Sequence, residues 1–347
     1  MALQTTWFVL VFVLLIGYAI LDGLDFGVGV LYLTLKDERH RRAALQAIGP
    51  VWDGNEVWLL TGGGALFAAF PAVYATVFSG FYLALFLLLV ALIARAVAIE
   101  FRSKVDSLRW RRVWDFVFSL GSTLAAVLLG VALGNIQCGV PVSEAGEYTG
   151  TFLGLLNTYA LSVGVVSMSA FSSQGAILLA HKSQGAMHEI CAGFARRCCL
   201  MFILVYLGCF VMAFVGSGST RYSFFTLPHI GDAFGSPLPW VLAALVFVAL
   251  AACMVAVMRN RFGIALIASS TAIGGMLALA GACLFPRLVP SSTDLAYSLT
   301  AFSSSSTQGT LTAMLIIALI GMPIVIAYTI YVHWVFRGKV TEGEGEY

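Results

Sequence analysis

VWLLTGGGALFAAFPAVYATVFSGFYLALFLLLVALIARAVAI, residues 57–99, contains one charged side chain, Arg95. As a single helix rising about 1.5 Å per residue, it would reach roughly twice the ~30 Å hydrocarbon thickness of a bilayer. The stretch therefore reads as two membrane-crossing helices, with the reversal near Phe78, Ser79 and Gly80. Apolar stretches recur at 7–33, 57–78, 80–99, 116–134, 152–179, 199–216, 240–258, 262–285 and 311–335. They predict an all-α polytopic membrane protein with nine transmembrane helices in a single integral membrane domain, 1–347. Two four-helix bundles plus one peripheral helix is the natural arrangement of nine.

Composition points the same way. The 347 residues are 60% hydrophobic and 10% charged, with a mean hydropathy of +0.94. A soluble domain carries about 25% charged residues, so a soluble catalytic domain is excluded.

The charges between stretches give a separate test. Lys36, Arg39, Arg41 and Arg42 follow the first stretch, and Arg102, Lys104, Arg109, Arg111 and Arg112 follow the third. Lys182, Arg196 and Arg197, then Arg259 and Arg261, then Arg337 and Lys339 occupy the later connections of the same parity. The other side has only Arg221 and Arg287, a split of 16 to 2 with Arg95 inside a helix. The positive-inside rule then places the N-terminus outside and the C-terminus in the cytoplasm, which requires an odd number of spans. The net charge of +2 is explained by these loops, and no nucleic-acid partner is implied. The acidic tail Glu342, Glu344 and Glu346 reads as a solvated end.

No positive charge precedes Trp7, and the apolar region continues past Gly17 without a small-residue cleavage site, so the start does not read as a secretory signal. The seven cysteines include no CxxC pair, which argues for apolar packing over a disulfide framework or a metal site.

Ionisable groups inside spans are costly and are functional candidates by default. GYAILDGLDFGVG, residues 17–29, places Asp22 and Asp25 three apart and hence on one helix face. Gly23 and Gly27 in the same stretch form a GxxxG surface for close helix approach. Two neighbouring carboxylates in low dielectric suit proton uptake or relay, and the alternative is a structural role with each Asp bonded to a neighbouring helix. GPVWDGNEVW, residues 49–58, puts Asp53 and Glu56 at capping-box spacing between interfacial Trp52 and Trp58, so local physics allows a cap or a site. Arg95 can snorkel to the interface, pair with a carboxylate or contact an anion, with snorkelling favoured. Asp115, at the start of the fourth stretch, reads as a cap. Gly62, Gly63 and Gly64 read as a close-packing surface. The Ser-rich segments 291–293 and 303–307 read as loop or helix-cap chemistry.

His40, His181, His188 and His229 fall in loops or near helix ends, and His333 in the final turns of the last span. No two lie mid-span at matching depths, so the chain is a poor candidate for holding several haems by itself. Walker loops, GxSxG elbows and HExxH are absent from the sequence, so no catalytic or metal-ligating residue is assigned.

The motifs GYAILDGLDFGVG, IGPVWDGNEVWLLTGGGALFAAFPAVYATVFSGFY, RAVAIEFRSK, RWRRVWDF and LFPRLVPSST, in that order, resemble subunit II of the cytochrome bd-type quinol oxidases. The resemblance spans nearly the whole chain and is most specific over 15–116, with WDGNEVWL the strongest signal. It implies an enzyme of the bacterial cytoplasmic membrane that oxidises quinol near the outer face and reduces O2 to water with cytoplasmic protons. Proton motive force would arise without pumping. Two b-type haems and one d-type haem are then expected in subunit I, the partner in a pseudosymmetric heterodimer.

Other partners that the resemblance allows for are a small single-helix accessory subunit, a bound quinone and lipid. It also implies that Asp53 and Asp25, with Asp22 and Glu56 beside them, belong to a proton path, and that Trp52 packs on a quinone or at the subunit interface. Arg95, Glu100, Arg102 and Asp115 match the family in structural ion pairing. Some relatives carry Trp-Asp where this chain has Phe302-Ser303, so the role of that acid does not transfer. The rival reading is a proton-coupled secondary transporter using the Asp22/Asp25 pair. Paired broken helices in two halves would favour it, and the sequence lacks that pattern.

Overall fold

The computed structural model describes residues 1–215 and 235–340. Arg221, His229 and the acidic tail Glu342, Glu344 and Glu346 lie outside the described residues. The helices are α1 (Ala2–Leu31), α2 (Glu38–Ile48), α3 (Trp52–Ala69), α4 (Pro71–Gly80), α5 (Tyr82–Phe101), α6 (Leu108–Cys138), α7 (Thr158–Lys182), α8 (Gly185–Val215), α9 (Pro237–Met258), α10 (Phe262–Leu284) and α11 (Gln308–Val335). Among the described residues, eight helical segments are long and apolar enough to cross a membrane: α1 with its short 3-10 extension, α5, α6, α7, α8, α9, α10 and α11. The protein is an all-α membrane protein.

The expected span 57–78 is instead two helices. Phe70 leaves helical geometry (φ −135°, ψ 66°) and Pro71 opens α4. Proline lacks an amide hydrogen and disfavours helical geometry in the residue before it, so the continuous apolar run breaks here. A second break falls at Phe81 (φ −98°, ψ 18°), between α4 and α5. Most spans also start earlier than hydropathy suggests. For α6, the Ser107 side chain accepts a hydrogen bond from the Trp110 amide, which places Asp115 two turns inside the helix and overturns its reading as a cap. Similarly, Val51 is the N-cap of α3, so Asp53 and Glu56 do not form a capping box.

The amphipathic helix α2 was missed by the nine-stretch reading because it is short and polar overall. Asp37 caps it by accepting from the Arg39 amide. Its apolar face, including Ala44, Leu45 and Ile48, joins a buried cluster with Leu179 of α7, Cys199 of α8 and Phe262 of α10.

Helix α1 runs through the centre and packs on α3, α6, α7 and α10, while α7, α8, α9 and α10 close a ring in which each helix touches the next. Glycine permits the central crossing. A Cβ on Gly27 would overlap the Phe171 carbonyl, and one on Gly175 would overlap the Gly27 backbone. Gly62 lies against Leu14 and Leu15, whereas a Cβ on Gly63 or Gly64 would meet nothing among the described residues. The triple glycine is therefore a packing surface within this chain only at its first position.

At the end opposite α2, an antiparallel pair, β1 (Arg287–Val289) and β2 (Leu299–Thr300), joins Arg287 to Thr300 and Val289 to Leu299. It covers a cluster containing Trp7, Phe70, Phe81 and Leu311. Ser303 belongs to a hydroxyl turn with Thr300, and Thr307 caps α11.

Helix α11 packs through Met314, Leu315, Ala318 and Met322 and is tied by hydrogen bonds around its start and beyond its end. The Trp7 indole donates to the Leu311 carbonyl (3.0 Å), and the Ser306 hydroxyl donates to the Ala68 carbonyl (2.6 Å). Beyond the helix, the Val340 amide donates to the Lys182 carbonyl (2.8 Å), and the Lys339 ammonium donates to the His181 carbonyl. Of the α11 side chains, only Leu311 is fully buried.

Candidate functional site

The acidic pair of α1 is buried at the junction of α1, α3 and α5. Asp22 and Asp25 are 0% and 1% exposed. Arg95, reaching across from α5, donates Nη1 to Asp22 Oδ1 (2.7 Å) and Nη2 to Asp22 Oδ2 (3.2 Å). Nη2 also donates to Glu56 Oε2 of α3 (3.2 Å). The guanidinium lies 4.4 Å from the centre of the Phe26 ring. Arg95 is thus a fully buried bidentate partner and does not snorkel. A planar fork suits a carboxylate held in place by packing.

Asp25 has a different environment. The Asn55 amide donates to Asp25 Oδ2 (2.8 Å) and, more weakly, to the Leu21 carbonyl (3.4 Å). Asp25 Oδ1 is buried and has no hydrogen-bond partner among the described residues. Adjacent residues of α3 therefore serve the two acids separately: Asn55 binds Asp25, and Glu56 shares the arginine of Asp22. A carboxylate clamped by guanidinium loses that pairing on protonation. One held by a side-chain amide keeps a partner in either state, because the amide offers both a donor and an acceptor.

Asp53 stands exposed in the first turn of α3, and Trp52 is half-buried against the cluster that includes α2. Neither contacts the buried acids through a hydrogen bond or ion pair among the described residues.

A second ionic cluster ties the ends of α1, α2, α5 and α6. Arg102 binds Asp115 through Nε (2.6 Å) and Glu38 through Nη2 (2.9 Å). Arg41 donates to Asp115 (2.8 Å) and to the Leu35 carbonyl (2.7 Å). Burial works to raise the Glu38 carboxyl, but Arg102, assisted by Arg42 and Arg111, outweighs it and holds the group below the usual carboxylate range. Glu100 is exposed, and none of the ion pairs among the described residues includes it.

Sequence reasoning missed Asn55 at the first cluster, and Glu38 and Arg41 at the second. Asn55 carried a usable signal, since it lies one residue before Glu56 at the start of the same helix.

No group of three or more His, Cys, Asp or Glu side chains that could hold a metal occurs among the described residues. His188 Nδ1 is engaged by the Ala180 carbonyl (2.8 Å), and its ring packs edge-on to Phe262. His333 Nδ1 is engaged by the Thr329 carbonyl within its own helix. A cavity of about 550 Å³ beside α1, α9 and α10 is lined by residues such as Ile20, Leu245, Ile267 and Ser270, none of them a haem-ligand type.

Residues 3–336 match the family described as Cytochrome bd terminal oxidase subunit II. The chain is 36% identical over 370 residues to the Cytochrome bd-I ubiquinol oxidase subunit 2 of Escherichia coli (strain K12), covering 99% of this chain and 97% of that protein. It is 33% identical to the Cytochrome bd ubiquinol oxidase subunit 2 of Bacillus subtilis (strain 168), covering 99% and 98%. In fold it resembles a chain of the bd oxidase from Geobacillus thermodenitrificans, with a TM-score of 0.78, 18% identity, and coverage of 97% and 99%.

Proposed function

Because the chain belongs to the cytochrome bd terminal oxidase subunit II family, we propose that its buried acids carry protons toward the oxygen chemistry of the complex. The protein is a subunit of a quinol:oxygen oxidoreductase in the bacterial inner membrane, and the complex contains haem and a subunit I partner.

The carrying observation is the asymmetry of the two acids. Asp22 is neutralised by Arg95, while Asp25 has a neutral amide partner and one unpartnered oxygen. Asp25 is the acid that exchanges a proton, and Asp22 with Arg95 holds the local charge fixed. Glu56 links the fixed pair to the start of α3, where exposed Asp53 receives protons from the cytoplasmic side. Arg102 and Asp115 fix the helix ends around that entrance. His188 and His333 are engaged by backbone carbonyls and the pocket beside α1 is lined by no haem-ligand type, so no step here runs through a haem. Two b-type haems and one d-type haem are assigned to subunit I.

The finer architecture follows the same reading. With α3 and α4 counted together as one broken crossing, the chain has nine spans, and its basic loops put the N-terminus outside. A pseudosymmetric heterodimer is supported by the exposed apolar surface of α5, with Leu83 and Phe86 more than half exposed, beside the uncovered glycines of α3. Trp52, half-buried against the α2 cluster at the start of α3, is suited to a subunit contact or a quinone ring.

The test compares Asp25→Asn and Asp53→Asn in the purified complex. Slowed oxygen consumption and proton uptake with unchanged haem absorption support the path. Unchanged turnover in both variants leaves the chain with an assembly role only.

A further inference from the structure

The arginines around the buried acids and the α2 cluster are neutralised within the chain. Arg41, Arg42, Arg95, Arg102 and Arg111 each pair with a carboxylate. Arg196 and Arg197 of α8 and Arg259 and Arg261 of the α9–α10 turn are exposed, and none forms an ion pair among the described residues. Arg196 is joined to the turn that carries Arg259 and Arg261, and Arg197 is its neighbour on α8. Arg196 Nη2 donates to Asn260 Oδ1 (2.9 Å), tying α8 to the turn. The turn is tight because Asn260 adopts φ 55°, and the Arg261 amide reaches back to the Ala256 carbonyl (2.8 Å). Asparagine is among the few residues that take this left-handed conformation readily.

Their depth is fixed by helix length. The 31 residues of α8 extend about 46 Å, well beyond a ~30 Å hydrocarbon core. Its first eleven residues lie past the α9–α10 turn, with Met187, Cys191 and Ala195 buried against the body. Arg196 and Arg197 therefore stand at the level of the turn, at the membrane boundary. On the span side, Leu200 and Leu204 continue the face of Arg197 at helical spacing and are 48% and 58% exposed, and Met258, beside Arg259, is 58% exposed. A cluster of guanidinium groups thus sits directly against apolar surface facing acyl chains.

We propose that this corner binds the headgroup of an anionic phospholipid, with its phosphate between the α8 arginines and the α9–α10 turn and its chains along Leu200 and Leu204. Like charges at one corner, with no ion-pair partner among the described residues, repel one another, and a phosphate with delocalised charge suits guanidinium forks. A zwitterionic lipid brings its own ammonium group and gains less. The site lies apart from Asp22 and Asp25 and is independent of their proposed role.

The test is native mass spectrometry of the delipidated whole complex titrated with phosphatidylglycerol or phosphatidylcholine. Each arginine near an anionic surface contributes about a five-fold factor in affinity. The combined Arg196→Gln, Arg259→Gln and Arg261→Gln variant should lose phosphatidylglycerol affinity by on the order of 10²-fold. Phosphatidylcholine retention, haem absorption and turnover should be unchanged, and Arg259→Gln alone should give about the single five-fold step. Unaltered phosphatidylglycerol binding in both variants overturns the site. Full competition by inorganic phosphate alone would make it a simple anion site and reject the lipid.

Discussion

Arg95 and Asp22, 73 residues apart in sequence, form a bidentate ion pair in which both side chains are 0% exposed. Removing one partner strands the other as a buried charge, which costs about 3–5 kcal/mol. Arg95→Gln or Asp22→Asn should therefore lower the yield of haem-loaded complex and its melting temperature. The double variant should recover much of the loss, and failure of that recovery would show that the pair does not act as a unit.

Asn55 is the only side chain bonded to Asp25 among the described residues. Asn55→Leu conserves volume and removes both amide functions. If Asp25 exchanges protons, turnover should fall by about 10²-fold, the range typical of a displaced proton-transfer group. The solvent deuterium isotope effect should rise as proton delivery becomes limiting. A purely structural role would lower stability and leave that isotope effect at its normal value.

The α1–α7 crossing has no room for a methyl group. Gly27→Ala or Gly175→Ala forces two backbones apart, a strain of about 1–3 kcal/mol. A reduced melting temperature with unchanged quinol affinity is the expected outcome. Gly208→Ala is the control, because a Cβ there meets nothing among the described residues.

Glu38 links pH to stability. Its folded carboxyl is held below its ordinary range, so its contribution is present above the unfolded pKa and disappears as pH falls through the folded value. Melting temperature measured from about pH 6 down to pH 3 should decline less steeply in Glu38→Gln than in the parent. Equal slopes would place the acid sensitivity elsewhere.

Hydropathy and loop charge made most spans legible, because each apolar run must by itself cover the bilayer. The helix break at Phe70 was hidden, since Pro71 interrupts a run that remains apolar on both sides. Helix α2 was hidden for the opposite reason: it earns its place by one apolar face against α7 and α10, a pattern that span counting discards. The acids were legible as outliers in an apolar context. Their partners were not, because Arg95 and Asn55 meet them across helices through long-range packing that local spacing does not encode. Local rules even favoured the wrong outcomes at Arg95 and Asp115, where a buried carboxylate–guanidinium pair replaced snorkelling and capping.

The way α11 is attached bears on how the chain is made. Its hydrogen bonds to the earlier helices, among the described residues, are made at Leu311 and the preceding loop, and at residues 339–340 beyond its far end. The preceding helices can therefore settle into their final contacts while the last span is still inside the ribosome and translocon. Synthesis proceeds from the N-terminus, so the bond from the Val340 amide to the Lys182 carbonyl forms after the contacts of the preceding helices. A nascent chain stalled before Gln308 should already protect the α1–α7 crossing from hydrogen exchange.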